Sequence, residues 1–80
     1  MKTFQLTIAQ VNEPLFEGPA TFVTVPGVEG EMTILPEHTA LVSPLKKGVI
    51  TVQKEDGEEF FEVKKGGTLE VSNNQVTVLL

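Results

Sequence analysis

Val49-Ile50-Thr51-Val52-Gln53, Lys54-Glu55-Asp56-Gly57-Glu58 and Glu59-Phe60-Phe61-Glu62-Val63 follow one another without a gap. The outer two segments are rich in β-branched and aromatic residues, which fit a pleated and half-buried surface. Between them Asp56-Gly57 is a hairpin signal, because glycine accepts the positive φ that tight hairpin turns demand. This stretch therefore predicts two antiparallel strands joined by a short turn. The same pattern continues toward the C-terminus. Gly66-Gly67 marks a turn or bulge, Thr68-Leu-Glu-Val71 is a strand, Asn73-Asn74 turns the chain, and Gln75-Val-Thr-Val-Leu79 is the last strand.

Toward the N-terminus the alternation persists with more interruptions. Phe4, Leu6 and Ile8 share one face, with Thr3, Gln5 and Thr7 on the other. After a polar break at Asn12-Glu-Pro14, Leu15-Phe16 forms a short apolar piece closed by Gly18-Pro19. Phe22, Val23 and Val25 lead to an expected turn at Pro26-Gly27, where proline presets φ and glycine tolerates φ > 0. Met32-Thr-Ile-Leu35 is a strand stopped by Pro36, and Leu41-Val42 is another that ends near Ser43-Pro44. The fifteen residues from Thr24 to His38 hold two Gly, two Pro, three Glu and the single His, a density of backbone constraints that marks shaped connections.

Helical periodicity is absent almost everywhere, whereas period two recurs. The fold class expected is all-β, an antiparallel β-sandwich or flattened barrel of short strands, forming one domain over residues 1–80. Ile50 with Val52, Leu69 with Val71 and Val76 with Val78 are assigned to the interior, and Thr51, Glu70 and Thr77 to water. Eighty residues bury only about 60–65% of the surface exposed when unfolded, so the core must be compact.

Composition excludes several functions. The formal charge is −5, and the chain has six lysines and no arginine, which argues against nucleic acid. Lys46-Lys47 and Lys64-Lys65 adjoin glycines and read as solvated turn lysines. There is no cysteine, so neither disulfides nor thiolate metal sites are expected, and a reducing compartment is favoured. The N-terminus enters a strand without a signal-peptide pattern, and no apolar run is long enough to span a bilayer.

The residues that could carry chemistry are few. Glu37 and His38 are neighbours in an extended segment, where adjacent side chains point apart, so they make a poor dyad. Ser43 and Ser72 lack the strand–turn–helix setting of an exposed nucleophile. Glu29 and Glu31 lack the further ligands of a calcium loop, and Gly27-Val-Glu-Gly30 carries an acid where a phosphate cradle would not. No catalytic residue, metal site or cofactor is expected. A biotinyl or lipoyl carrier domain would match in size and acidity, but Leu45-Lys-Lys-Gly48 and Val63-Lys-Lys-Gly66 do not resemble an acceptor motif. A generic β-sandwich interaction module is the remaining alternative.

Three segments together resemble the N-terminal β-sandwich domain of the epsilon subunit of F-type ATP synthases, called delta in mitochondria. The first is Phe22 to Leu41, similar to the family's Pro-Gly-x-Glu-Gly and Leu-Pro-x-His patterns. The second is Leu45-Lys-Lys-Gly-Val-Ile50. The third joins Gly66-Gly67, Leu69-Glu-Val71 and Val76-Thr-Val-Leu79. Phe4-Gln-Leu-Thr-Ile8 and Leu15-Phe16-Glu-Gly18 fit as well. Departures include Thr39-Ala40 where Ala-Pro is usual, Lys47 in place of a common Pro, Lys64-Lys65 where a Ser is frequent, and Thr68 where a bulkier apolar residue is.

The resemblance implies a non-catalytic part of the rotating central stalk, which docks on the gamma subunit and the c-ring and helps couple proton or sodium transport to ATP synthesis. It implies that Glu29, Gly30, Glu31 and Met32 face the c-ring loops, with Glu31 making an electrostatic contact. Gln10, His38, Thr39, Ala40, Leu41 and Val42 are implied to lie toward gamma. Relatives continue into a C-terminal helical hairpin that inhibits hydrolysis or binds ATP; the sequence here has none, so neither inhibition nor nucleotide binding is expected of it. Attachment to the cytoplasmic face of a bacterial membrane, or the stromal face of a thylakoid, would come through partners rather than by insertion.

Overall fold

A computed structural model describes residues 2–11 and 13–80; Asn12, part of the expected polar break, lies outside the described residues. Nine strands follow in order: β1 Phe4–Gln10, β2 Glu13–Ala20, β3 Phe22–Gly27, β4 Gly30–Ile34, β5 Leu41–Leu45, β6 Gly48–Lys54, β7 Gly57–Val63, β8 Gly67–Ser72 and β9 Gln75–Leu79. No helix occurs among the described residues, and accordingly none there is long and apolar enough to cross a membrane.

The strands form one curled sheet in the order β2-β1-β9-β8-β5-β3-β6-β7, with β4 added to β3. Its two halves, β2-β1-β9-β8-β5 and β4-β3-β6-β7, face each other as a sandwich. They are joined where Gly27 pairs with Leu45. Across the opposite seam the rings of Phe16 and Phe61 meet edge to face, 6.0 Å apart at 66°, a favoured aromatic geometry. The all-β sandwich expectation holds. One pairing is not antiparallel: β1 runs parallel to β9, from Gln5 opposite Gln75 to Ala9 opposite Leu79.

The interior follows the alternation. Phe4, Leu6 and Ile8 are all buried, as are Ile50, Val52, Leu69, Val71, Val76 and Val78. Glu70 is exposed, and Thr51 and Thr77 are half-buried on the outer surfaces. No buried side-chain nitrogen or oxygen lacks a partner among the described residues. The core cluster is built of apolar side chains, with Thr21 a buried polar residue whose Oγ1 donates to Gln53 O at 3.0 Å, so a charge placed in the core would have no compensating group.

Four boundaries differ from the sequence reading, each for a backbone reason. β2 does not stop at Gly18-Pro19 but runs from Glu13 to Ala20 through Pro14. It is an edge strand, where a missing N–H removes no ladder bond if it faces outward. The expected Pro26-Gly27 turn moves to Val28-Glu29, because Pro26 and Gly27 belong to β3. Gly27 pairs with Gly30; a Cβ on Gly27 would stand 2.7 Å from the Gly30 carbonyl oxygen, and Gly30 takes φ 137°. β4 ends at Ile34, one residue short, leaving Leu35 exposed. β5 continues through Ser43-Pro44 to Leu45. The Pro44 carbonyl accepts a bond from Val28 N at 3.2 Å, so its N–H-less side faces β3, where regular pairing is confined to one residue. The hairpin at β6–β7 forms as expected, with Glu55-Asp56 as its two central residues and Gly57 at φ 146° opening β7.

Candidate partner-docking surfaces

Register divides the possible contact residues between the two ends of the sandwich. Leu45 lies opposite both Gly27 and Gly67; Thr68 lies opposite Leu79, and Leu79 opposite Ala9. The β3–β4 hairpin, the β5–β6 and β7–β8 turns and the end of β1 therefore share one end, the Gly27 end. Leu41 lies opposite Val71 beside the Asn73-Asn74 turn, which bonds to the start of β1 through Gln5 N and Asn74 O at 3.3 Å. The Pro36–Ala40 loop and the Glu55-Asp56 turn lie at this second end, the Asn74 end.

Glu29, Gly30, Glu31 and Met32 come together at the Gly27 end. Glu29 and Glu31 are exposed and make no salt bridge among the described residues, whereas Met32 packs against the core. The hairpin is held from behind by backbone bonds. Lys46 N donates to Pro26 O at 2.8 Å and Val28 N to Pro44 O at 3.2 Å. It is a fixed, acidic tip with an apolar root.

His38, Thr39, Ala40, Leu41 and Val42 come together at the other end, and Gln10 does not. Gln10 closes β1 at the Gly27 end, donating to Glu13 Oε1 at 2.7 Å. The two places border one outer face, however. The register row Pro44–Thr68–Leu79–Ala9 crosses it, and Val42 and Leu79, respectively 70% and 55% exposed, stand on it as uncovered apolar side chains.

A feature that sequence reasoning missed anchors the His38 loop. Asn74 Oδ1 accepts the backbone N–H of Glu37 at 2.7 Å, and its Nδ2 donates to Thr3 O at 3.0 Å. Glu37 sits at φ 63°, uncommon for a residue with a side chain, and its carboxylate receives Lys2 Nζ at 3.1 Å. That carboxylate is turned to Lys2 rather than to His38. The Asn-Asn pair signals a turn, but nothing local reveals that its second amide spans to residues 37 and 71 positions away. Among the described residues no three His, Cys, Asp or Glu side chains are grouped to hold a metal ion.

Lys54, nearby, donates to Glu59 Oε2 at 2.6 Å. That bond raises the lysine pKa above its usual 10.5; partial desolvation opposes the rise, and the charges of Glu59 and Asp56 add to it.

Comparison with known proteins places this arrangement. The model of the ATP synthase delta/epsilon chain β-sandwich domain matches residues 3–80. The chain belongs to that family. Epsilon chains of ATP synthase from Polaromonas naphthalenivorans (strain CJ2) and Delftia acidovorans (strain DSM 14801 / SPH-1) are each 42% identical over 79 residues. The match takes in 99% of this chain and 57% of each relative. This delta/epsilon sandwich thus spans little more than half the length of those relatives. Among solved structures, a chain of the Euglena gracilis mitochondrial ATP synthase (OSCP, F1 and c-ring, rotational state 1) superposes with a TM-score of 0.88 at 28% identity. It covers 96% of this chain and 49% of that one. A chain of the Tetrahymena thermophila mitochondrial ATP synthase central stalk and c-ring has a TM-score of 0.80 at 15% identity, covering 94% of this chain and 60% of that one, and supports the fold alone.

Proposed function

We propose that this delta/epsilon sandwich is a non-catalytic rotor element of an F-type ATP synthase, docking on gamma and the c-ring and helping to couple ion transport to ATP synthesis. The observation that carries the reading is the family match along residues 3–80. Physically, a part that passes torque must not yield, and a curled sheet with a continuous apolar core suits that demand. The acidic Glu29–Met32 tip is the proposed c-ring contact, with Glu31 facing basic loop residues. The outer face bearing Val42, bordered by Gln10 and the His38–Leu41 segment, is the proposed gamma contact. Attachment to the cytoplasmic or stromal membrane face follows from these partners. Inhibition of hydrolysis is not expected of these eighty residues by themselves.

The test is co-elution or calorimetry with the purified cognate gamma subunit. A one-to-one complex is expected, weakened when Val42 is changed to Asp. A folded chain that does not bind gamma would overturn the reading.

A further inference from the structure

The six lysines of this acidic chain divide into two kinds. Lys2 and Lys54, at the Asn74 end, are each held in salt bridges, to Glu37 and to Glu59 with Asp56. Lys46, Lys47, Lys64 and Lys65 are exposed and form no salt bridge among the described residues. All four occupy the Gly27 end. Gly48 lies opposite Val63, so the turns that precede β6 and follow β7 sit side by side. Both are pinned by the backbone: Lys46 N is bonded to Pro26 O, and Gly66, at φ 137°, passes so near Leu45 O that a Cβ would stand 2.9 Å from it. The ammonium groups thus project from two rigid, adjacent tips.

We infer that these four lysines form a contact surface for anionic phospholipid headgroups, engaged when the Gly27 end faces a bilayer. That orientation rests on the c-ring docking proposed above; the division of the lysines into bridged and unbridged does not. A cluster of four lysines reaches the size at which basic side chains draw protein to an anionic leaflet. The carboxylates at this end are Glu62, Glu13, Glu29 and Glu31. Glu62 lies within β7, one residue from its end, and borders a recess with Lys64 and Lys65; Glu13 opens β2 and accepts from Gln10. Glu29 and Glu31 lie on the neighbouring hairpin, where the c-ring contact is proposed. Glu37, Glu55, Asp56, Glu58 and Glu59 lie at the far end. The seven residues of β1 separate the ends by roughly 20 Å at ~3.3 Å per residue, whereas screening acts over about 8 Å at physiological ionic strength. The acidic far end does not cancel the field at the lysine tips.

Vesicle co-sedimentation of the full chain tests this. Binding to phosphatidylcholine vesicles containing phosphatidylglycerol is expected, falling with added salt, with no binding to phosphatidylcholine alone. The quadruple Lys46→Gln, Lys47→Gln, Lys64→Gln, Lys65→Gln variant should lose about tenfold or more of that binding, each lysine near such a surface being worth roughly fivefold. Lys2→Gln with Lys54→Gln should leave it unchanged. Melting of each variant establishes that it is folded. Equal binding of parent and quadruple variant, or no preference for anionic vesicles, overturns the inference. Docking to a detergent-purified c-ring separates this outcome from the functional reading. The quadruple variant should dock normally there, while failure of the parent to dock would count against the reading alone. Loss of docking by the quadruple variant, without vesicle binding by the parent, would assign the lysines to acidic protein groups instead.

Discussion

The Asn74 end and the Gly27 end solve the same problem of closing a sandwich in opposite ways. At the Asn74 end side chains do the closing: Asn74 bridges Glu37 and Thr3, Lys2 meets Glu37, and Lys54 meets Glu59. At the Gly27 end the backbone does it, through Lys46 N to Pro26 O, Val28 N to Pro44 O and the close approaches of Gly27, Gly66 and Gly67. A Cβ on Gly67 would stand 2.4 Å from Leu79 O. Charged side chains committed to internal bonds offer a partner little, whereas backbone closure leaves them free. The Gly27 end is accordingly the one suited to electrostatic docking.

Substitutions can break this contrast or sharpen it. Val78 is fully buried in the strand that crosses between the ends. Val78→Asp should bury an unpaired carboxylate and cost several kcal/mol, comparable with a total stability of roughly 4–12 kcal/mol for eighty residues. Both ends would be lost together, and a melt like the parent's would refute the assignment of that face. Asn74→Gly is next. Glycine keeps the φ of 59° that the turn needs but removes both amide bonds, costing about 1–3 kcal/mol. Amide exchange at Glu37 should rise without change near Gly27, while Asn73→Gly should affect neither.

A smaller effect concerns pH. Because Glu59 raises the Lys54 pKa in the folded state, this charged pair favours the native state at neutral and mildly alkaline pH and ceases to do so as pH rises through the raised value. Glu59→Gln should therefore flatten the loss of stability above 10.5. Denaturant titrations of the two proteins at alkaline pH check it. The smallest effect on stability belongs to Glu31→Lys, at an exposed site with no internal bond: the melt should not move, while docking to the c-ring should be lost. Normal docking would remove the proposed contact.

The interior was legible from the sequence because a period of two fixes which side chains share a face. Phe4, Leu6 and Ile8, or Leu69 and Val71, needed no further information. Proline and glycine were harder to read. Pro14, Pro19 and Pro44 look like strand breakers until β2 is seen to be an edge strand and β5 to pair with β3 at one residue only, which depends on strand order rather than on neighbours. Pro26-Gly27 looks like a turn, yet the chain turns two residues later at Val28-Glu29, followed by Gly30 with its positive φ. The two docking regions were readable by resemblance, but their distribution was not. Gln10 and His38 fall at opposite ends because β1 and β5 run the same way, and Gln10 closes β1 whereas His38 precedes β5. The Asn74 bridge escaped detection because its partners are distant in the chain.

The parallel alignment of β1 with β9 gives the molecule a mechanical character. The first strand begins at the Asn74 end, and the last finishes at the Gly27 end, side by side over five register positions and tied once more by Leu80 N to Ala9 O at 2.8 Å. Tension applied along the chain through these two strands would slide one past the other. Every bond between them then bears the load at once, instead of parting in sequence as a pulled hairpin does. The sandwich is thus latched by its own first and last strands.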